Sequence, residues 1–374
     1  MINVPRRAWS SQNLTRGSAR PARHLHCESV TSESDQVLVD TEAGIGRLTL
    51  NRPKAINSLN LPMVTAISAA LAAWADDPAI NAVLLTGAGE RGLCAGGDVV
   101  AVHHSAKVGG AEARHFWHDE YLLNGHIGAF AKPYISLMDG IVMGGGVGVG
   151  AHGSVRVVTD ATKMAMPEVG IGFIPDVGGT YLLSRAPGHL GLHAGMTGTT
   201  FSGADAIAMG FADHFVPKSE LEAFTAAILS DGVESALGRH AVEPPPSPLM
   251  AQRDWIDECY AHDTVAEIVA ALAGHSSPEA NAAAALIGTR SPIAVSVTRE
   301  AIRRSGRLAT LEDVLVQEFR VSCASLRSHD LVEGIRAQLV DKDRNPQWLP
   351  ATLDAVSPED VEQYFLPADP DLAF

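Results

Sequence analysis

The 374-residue chain has no run of about 18 apolar residues, so no membrane-spanning helix is expected. Its four cysteines, Cys27, Cys94, Cys259 and Cys323, are far apart and show neither metal-ligand nor disulfide spacing. A reducing compartment follows, and no metal is expected. Positive charge is scarce too: 28 Lys and Arg stand against 43 Asp and Glu, and only 6 of the 28 are lysine. The formal net charge of −15 repels nucleic acid and anionic lipid, so neither is an expected partner. An anionic ligand would need local help. The glycine-rich loop at 87–98 is followed by no GK[ST], which excludes a phosphate loop, and no internal repeat or low-complexity tract is present.

What is there describes an ordinary globular protein, with 46% hydrophobic and 19% charged residues and length enough for one large α/β domain plus an appendage. Residues 1–27 carry Arg6, Arg7, Arg16, Arg20 and Arg23, with no acid before Glu28. This is read as an arginine-biased upstream extension of a cytoplasmic protein, disordered to about Ser34. The alternative is a presequence for the mitochondrial matrix.

The most informative stretch runs from Lys132 to Arg185. Tyr134 to Met138 reads as a buried strand, and Gly144, Gly145 and Gly146 follow at the start of a helical turn. Glycines there leave bare N–H groups at the positive end of a helix dipole, which suits negative charge on oxygen. The plainer reading of such a run is tight strand-to-helix packing. A strand over Ser154 to Thr159 follows, and Met166-Pro167-Glu168 ends a third. Proline holds Met166 extended and delivers Glu168 into an apolar neighbourhood of Met164, Met166, Val169 and Ile171. An anion-stabilising backbone and a partly desolvated carboxylate are therefore offered together.

From Val37 two strands are joined by a turn at Glu42 to Gly44, then come a helix over Pro62 to Ala75 and a strand over Asn81 to Gly87. Val99 to Asn124 reads as one helix. Ser202 with Asp205 resembles a capping box. The prolines at 244, 245, 246 and 248 mark a boundary, beyond which the chain is helical and ends in HDLVEGIRAQLVDKDRNPQW, one helix closed by a polar turn. The expected division is a leader at 1–34, an α/β core at 35–243 and an α-helical C-terminal region at 249–374.

LCAGGD and GIVMGGGVG, followed by MPE and FIPDVGGTYLL, resemble the crotonase (enoyl-CoA hydratase/isomerase) superfamily from about Val37 to the C-terminus. EYLLNGHIGAFAKPYISLMDGIVMGGGVGVGAHG, AMPEVGIGFIPDVGG and SHDLVEGIRAQLVDKDRNPQW are most similar to its 3-hydroxyisobutyryl-CoA hydrolase branch. The resemblance implies a ββα-spiral core and an acyl-CoA substrate whose carbonyl oxygen sits between the N–H groups of Gly97 and Gly145. Each such donor is worth about 2.7–4 kcal/mol elsewhere. It implies no cofactor, coenzyme A being part of the substrate, and a possible homo-oligomer; alternatively, the helical C-terminal region folds back over its own site.

Similar hydratases carry a glutamate where this chain has Gly148, and hydration needs two carboxylates to manage water. Glu168 remains, as nucleophile or as general base in thioester hydrolysis. The expectation is a thioester hydrolase for a short 3-hydroxyacyl-CoA, as in valine breakdown. A hydratase or isomerase is the alternative, and a non-catalytic acyl-CoA- or RNA-binding relative the third reading. By resemblance Asp176 bonds the substrate's 3-hydroxyl and Glu120 lines the acyl pocket; otherwise Asp176 is a helix N-cap and Glu120 a solvated helix residue. Ala95 and Asp98 would lie along the adenine and pantetheine, with Lys54, Lys342 or Arg344 near phosphates. His152 and Cys94 are read as structural.

Overall fold

The computed structural model describes residues 36–374. The leader and its two readings lie outside them. β1 (Val37–Glu42) and β2 (Ile45–Leu50) pair antiparallel across Ala43 and Gly44, whose φ of 51° and 79° match the twist of a two-residue hairpin. After α1 (Leu61–Ala75), capped by Asn60 accepting from Met63 N at 3.1 Å, the chain enters β3 (Ala82–Gly87). α2 (Val99–Ala106) and α3 (Ala111–Gly128) follow. The single helix expected over Val99 to Asn124 is thus two, because Gly109 and Gly110 turn the chain at φ 105° and 79°.

β4 (Tyr134–Met138), β5 (Ile141–Met143), α4 (Gly145–Gly150), β6 (Val155–Val158) and β7 (Lys163–Ala165) come next. α5 (Gly179–Leu183), α6 (Leu190–Thr197), β8 (Phe201–Ser202), α7 (Gly203–Ala208) and β9 (His214–Phe215) complete the core. The Ser202–Asp205 capping box is formed. The third strand stops at Ala165, before Pro167, and Glu168 instead opens a 3-10 turn, Glu168–Ile171. One sheet runs β1-β2-β3-β4-β6-β9, parallel except at its first pair; a second, β5-β7-β8, stands apart.

Side chains alternate across the larger sheet. Leu84, Ile135 and Val157 are covered by α8 (Leu221–Asp231) and α9 (Val233–His240) through Phe224, Ile228 and Ala236. Val83, Leu85 and Tyr134 face the other way, into the main core. Strands buried on both faces carry apolar residues at nearly every position, as β3 and β4 do.

The prolines at 244–248 lie in a non-helical stretch. Beyond it come α10 (Arg253–Tyr260), α11 (Val265–Gly274), α12 (Pro278–Ile287), α13 (Pro292–Ser305), α14 (Leu311–Ser325) and α15 (His329–Ile335). α10, α12 and α13 pack on α6, and Ile256, Ile287, Phe319 and Ile335 share the main core with the sheet. The expected last helix breaks: α15 passes into a π-helix, Arg336–Val340, and then a turn with left-handed Lys342 and Arg344. Arg336 bonds Glu333, Asp341 and Asp343 and so folds this turn back on itself.

Candidate active site

Two glycine segments are stitched side by side. Cys94 N donates to Ile141 O at 3.1 Å and Met143 N to Cys94 O at 3.0 Å, so the loop after β3 runs along β5. The approach tolerates no side chain at Gly146, where a Cβ would stand 2.4 Å from Cys94 O. This stitching brings Gly97 beside Gly145, the first residue of α4. A Cβ on Gly145 would lie 3.3 Å from Gly97 N, and neither N–H donates to an acceptor within the described residues. Two free amides therefore border one small space.

That space opens into a cavity of about 600 Å³. Ala95, Gly96, Gly97 and Asp98 line one part, Phe116, Trp117 and Phe173 another, with the Trp117 and Phe173 rings stacked at 5.2 Å. Leu331, Ile335, Gln338 and Leu339, from α15 and the π-helix, also line it. The chain's own C-terminal region thus folds over its pocket.

Three carboxyl groups line the same cavity: Glu120 from α3, Glu168 from the 3-10 turn after β7, and Asp176 just before α5. They are 2%, 7% and 6% exposed. Glu168 Oε1 lies 2.9 Å from where a Gly144 Cβ would be, and Glu120 Oε1 2.8 Å from the corresponding point on Gly145. Glu120 Oε1 and Glu168 Oε2 are buried with no hydrogen-bond partner. Burial and then the charge of Asp176 push both glutamates well above the usual carboxylate range. Burial raises Asp176 to about 7, although the Tyr121 hydroxyl, donating to Oδ2 at 2.7 Å, stabilises its charge. Ionising Asp176 therefore makes ionising either glutamate harder.

The Asp176 turn is held from several sides. The Tyr121 oxygen also lies 2.7 Å from Ser322 Oγ on α14. His152 Nε2–H donates to Val177 O at 2.8 Å, and burial lowers this imidazole to about 4, consistent with a structural role. Glu318, fully buried on α14, accepts from Gly178 N at 2.6 Å and from Thr180 N at 2.9 Å, and receives the Thr180 hydroxyl.

Glu120, Gly145, Glu168, Asp176, Gly97, Ala95 and Asp98 therefore line one cavity. Asp176 is not the N-cap of α5, since Gly178 stands there, and Glu120 is not solvated. The Asp98 side chain is committed to capping α2 and to an ion pair with Arg52 at 3.2 Å, which leaves its backbone to the pocket. Lys54 is exposed and does not line the cavity, although its neighbour Ala55 does; Lys342 and Arg344 are exposed as well. Arg290 was not foreseen: it lines the cavity while Nε and Nη2 donate to Thr197 O at 3.0 and 2.7 Å. Val177, Tyr121, Ser322 and Glu318 were also missed; the last two sit in a helix whose sequence reads only as amphipathic. Cys94 is buried and its thiol is pushed up to about 12, mainly by burial, so it is inert. Among the described residues no group of three or more His, Cys, Asp or Glu is arranged to hold a metal ion, and no helix is long and apolar enough to cross a membrane.

Mostly parallel strands in two sheets, with paired glycine loops above a carboxylate-lined pocket, define an α/β protein of the crotonase type. The Enoyl-CoA hydratase/isomerase family model matches residues 45–365, and the chain belongs to that family. It is 37% identical over 362 residues to the mitochondrial 3-hydroxyisobutyryl-CoA hydrolase of Danio rerio, covering 93% of this chain and 94% of that one. A crystal structure named as a carnitinyl-CoA dehydratase from Mycobacterium thermoresistibile is 69% identical, with a TM-score of 0.89 over 91% of this chain and 99% of its own. Another, named as an enoyl-CoA hydratase from Rhodobacter sphaeroides, is 40% identical, with a TM-score of 0.86 over 91% of this chain and 100% of its own.

Proposed function

We propose that this enzyme hydrolyses the thioester of a short 3-hydroxyacyl-CoA, of which 3-hydroxyisobutyryl-CoA is the expected example, releasing the free acid and coenzyme A. The observation that carries the reading is the placement of buried Glu168 beside Gly144, next to the unbonded amides of Gly97 and Gly145. The thioester carbonyl oxygen is received by those two amides, which stabilise the negative charge that develops as the carbon becomes tetrahedral. Glu168 in its ionised form either attacks that carbon or takes a proton from the attacking water. Asp176 and Glu120 receive the polar end of the acyl chain.

The names of the similar structures favour a second reading, addition or removal of water across a double bond. Against it, the place for a second carboxylate on α4 is closed: a Cβ on Gly148 would meet Val177 Cβ at 2.7 Å and Asn124 Nδ2 at 2.9 Å. A thiol-reagent assay separates the two. Release of free coenzyme A from 3-hydroxyisobutyryl-CoA supports hydrolysis; a change in enoyl absorbance with no free thiol selects the alternative.

Asp176→Asn is expected to reduce kcat/KM for the 3-hydroxy substrate at least about tenfold more than for its deoxy analogue, because a site built to bond a hydroxyl leaves polar groups unpaired without one. Equal losses would confine Asp176 to holding its own turn. The pH profile follows from the raised acids. Because Glu168 works as the anion and burial raises its pKa, activity should keep climbing with pH beyond the range in which an exposed carboxyl ionises, and level off only above it. A rate already constant from about pH 5 upward would mean that Glu168 ionises like an exposed carboxyl.

A further inference from the structure

Val177 is a β-branched residue in the left-handed backbone region, with φ 53°, a conformation that favours glycine. It is 1% exposed, and its immediate successor Gly178 is also left-handed, at φ 78°. Strain of this kind persists only where the surroundings over-determine it, and it gathers at ligand clamps and active sites. Here the surroundings do so. Asp176 is held by Tyr121, the Val177 carbonyl by His152, and the Gly178 and Thr180 N–H groups by Glu318.

The strained conformation sends the Val177 side chain toward α4, where glycine leaves room for it. A Cβ on Gly148 would stand 2.7 Å from Val177 Cβ and 3.1 Å from its Cγ2, so valine on the turn and glycine on the helix are a fitted pair. With no Cβ opposite, Val177 seats fully and forms cavity wall beside Glu120, Asp176, Phe116 and Trp117. A flexible side chain could rotate away from a longer ligand. This wall cannot, because its position is fixed by backbone bonded on both sides.

We propose that Val177, clamped in its left-handed conformation by Tyr121, His152 and Glu318, sets the depth of the acyl pocket and so determines its preference for short acyl chains. The inference rests on the acyl-CoA reading of this site. Val177 is the specificity-determining residue; His152 and Glu318 are positioning residues that act through the turn.

The test compares the wild type with Val177→Gly, Val177→Ala and Val177→Leu on a series of 3-hydroxyacyl-CoA thioesters of about four to eight acyl carbons, where each carbon in a pocket is worth roughly tenfold or more in selectivity. The ratio of kcat/KM for the longest to the shortest chain is expected to rise at least about tenfold in Val177→Gly, rise less in Val177→Ala, and fall in Val177→Leu. Dissociation constants for non-hydrolysable thioether analogues of the same lengths should follow the same order, and they are readable whatever bond the enzyme breaks. An unchanged ratio in folded Val177→Gly and Val177→Ala overturns the proposal and leaves the hydrolase reading standing. Failure of the wild type to bind or turn over any member of the series overturns the acyl-CoA reading and the proposal with it. Glu318→Gln should move the ratio in the same direction as Val177→Gly; a lowered melting temperature with an unmoved ratio removes Glu318 from the clamp.

Discussion

Replacing Glu168 with glutamine is expected to lower kcat for thioester hydrolysis by about 10³-fold or more while leaving acyl-CoA affinity nearly unchanged. The side chain keeps its size and loses only the ability to attack or accept a proton. The substitution should not cost stability at neutral pH. Folding raises the Glu168 pKa, so above the unfolded value of about 4.3 the ionised side chain opposes folding, and a neutral amide removes that opposition. A melting temperature equal to or above that of the wild type, with thiol release nearly abolished, is the predicted pair of results. Substantial hydrolysis by a well-folded Glu168→Gln would transfer the chemistry to Glu120 or Asp176. Turnover in isotopically labelled water then divides the two routes, since label entering the Glu168 side chain over many cycles marks nucleophilic attack.

Gly145→Ala is expected to cost about 10²–10³-fold in kcat, the magnitude of losing one preorganised oxyanion donor. The added Cβ would lie 2.8 Å from Glu120 Oε1 and 3.3 Å from Gly97 N, so it intrudes on the space where the carbonyl oxygen would sit. The backbone of α4 itself is not left-handed at this position, which keeps the effect local rather than a failure to fold. Circular dichroism and melting temperature should stay near those of the wild type while turnover falls. If turnover is retained, the amides of Gly97 and Gly145 are not where the charge develops.

Much of the site is legible in the sequence because its parts are backbone features signalled locally. Glycine runs mark where amides are bare, and Pro167 marks where the third strand must stop and release Glu168. The strands of the larger sheet are legible for a similar reason, as burial on both faces makes β3 and β4 continuously apolar. The Val99–Asn124 segment misleads because its helical periodicity continues across Gly109 and Gly110, and only the left-handed φ of that pair reveals the break. Long-range support is invisible for a different reason. Glu318 and Ser322 lie on α14, where a buried glutamate looks like any other helix acid until tertiary packing sets it against the Asp176 turn. Val177 is hidden still more deeply, because nothing in PDVGG says that the valine, rather than its glycine neighbour alone, takes up the left-handed conformation.

Leu331, Ile335 and Leu339 reach the cavity from the far end of the chain, while its glycine loops come from the first half. A ribosome delivers those parts in order, and N-terminal segments organise first. The residues that roof the carboxyl cluster are therefore the last of the cavity's lining to be made. A chain ended before Leu331 would lack those three side chains over Glu120, Glu168 and Asp176.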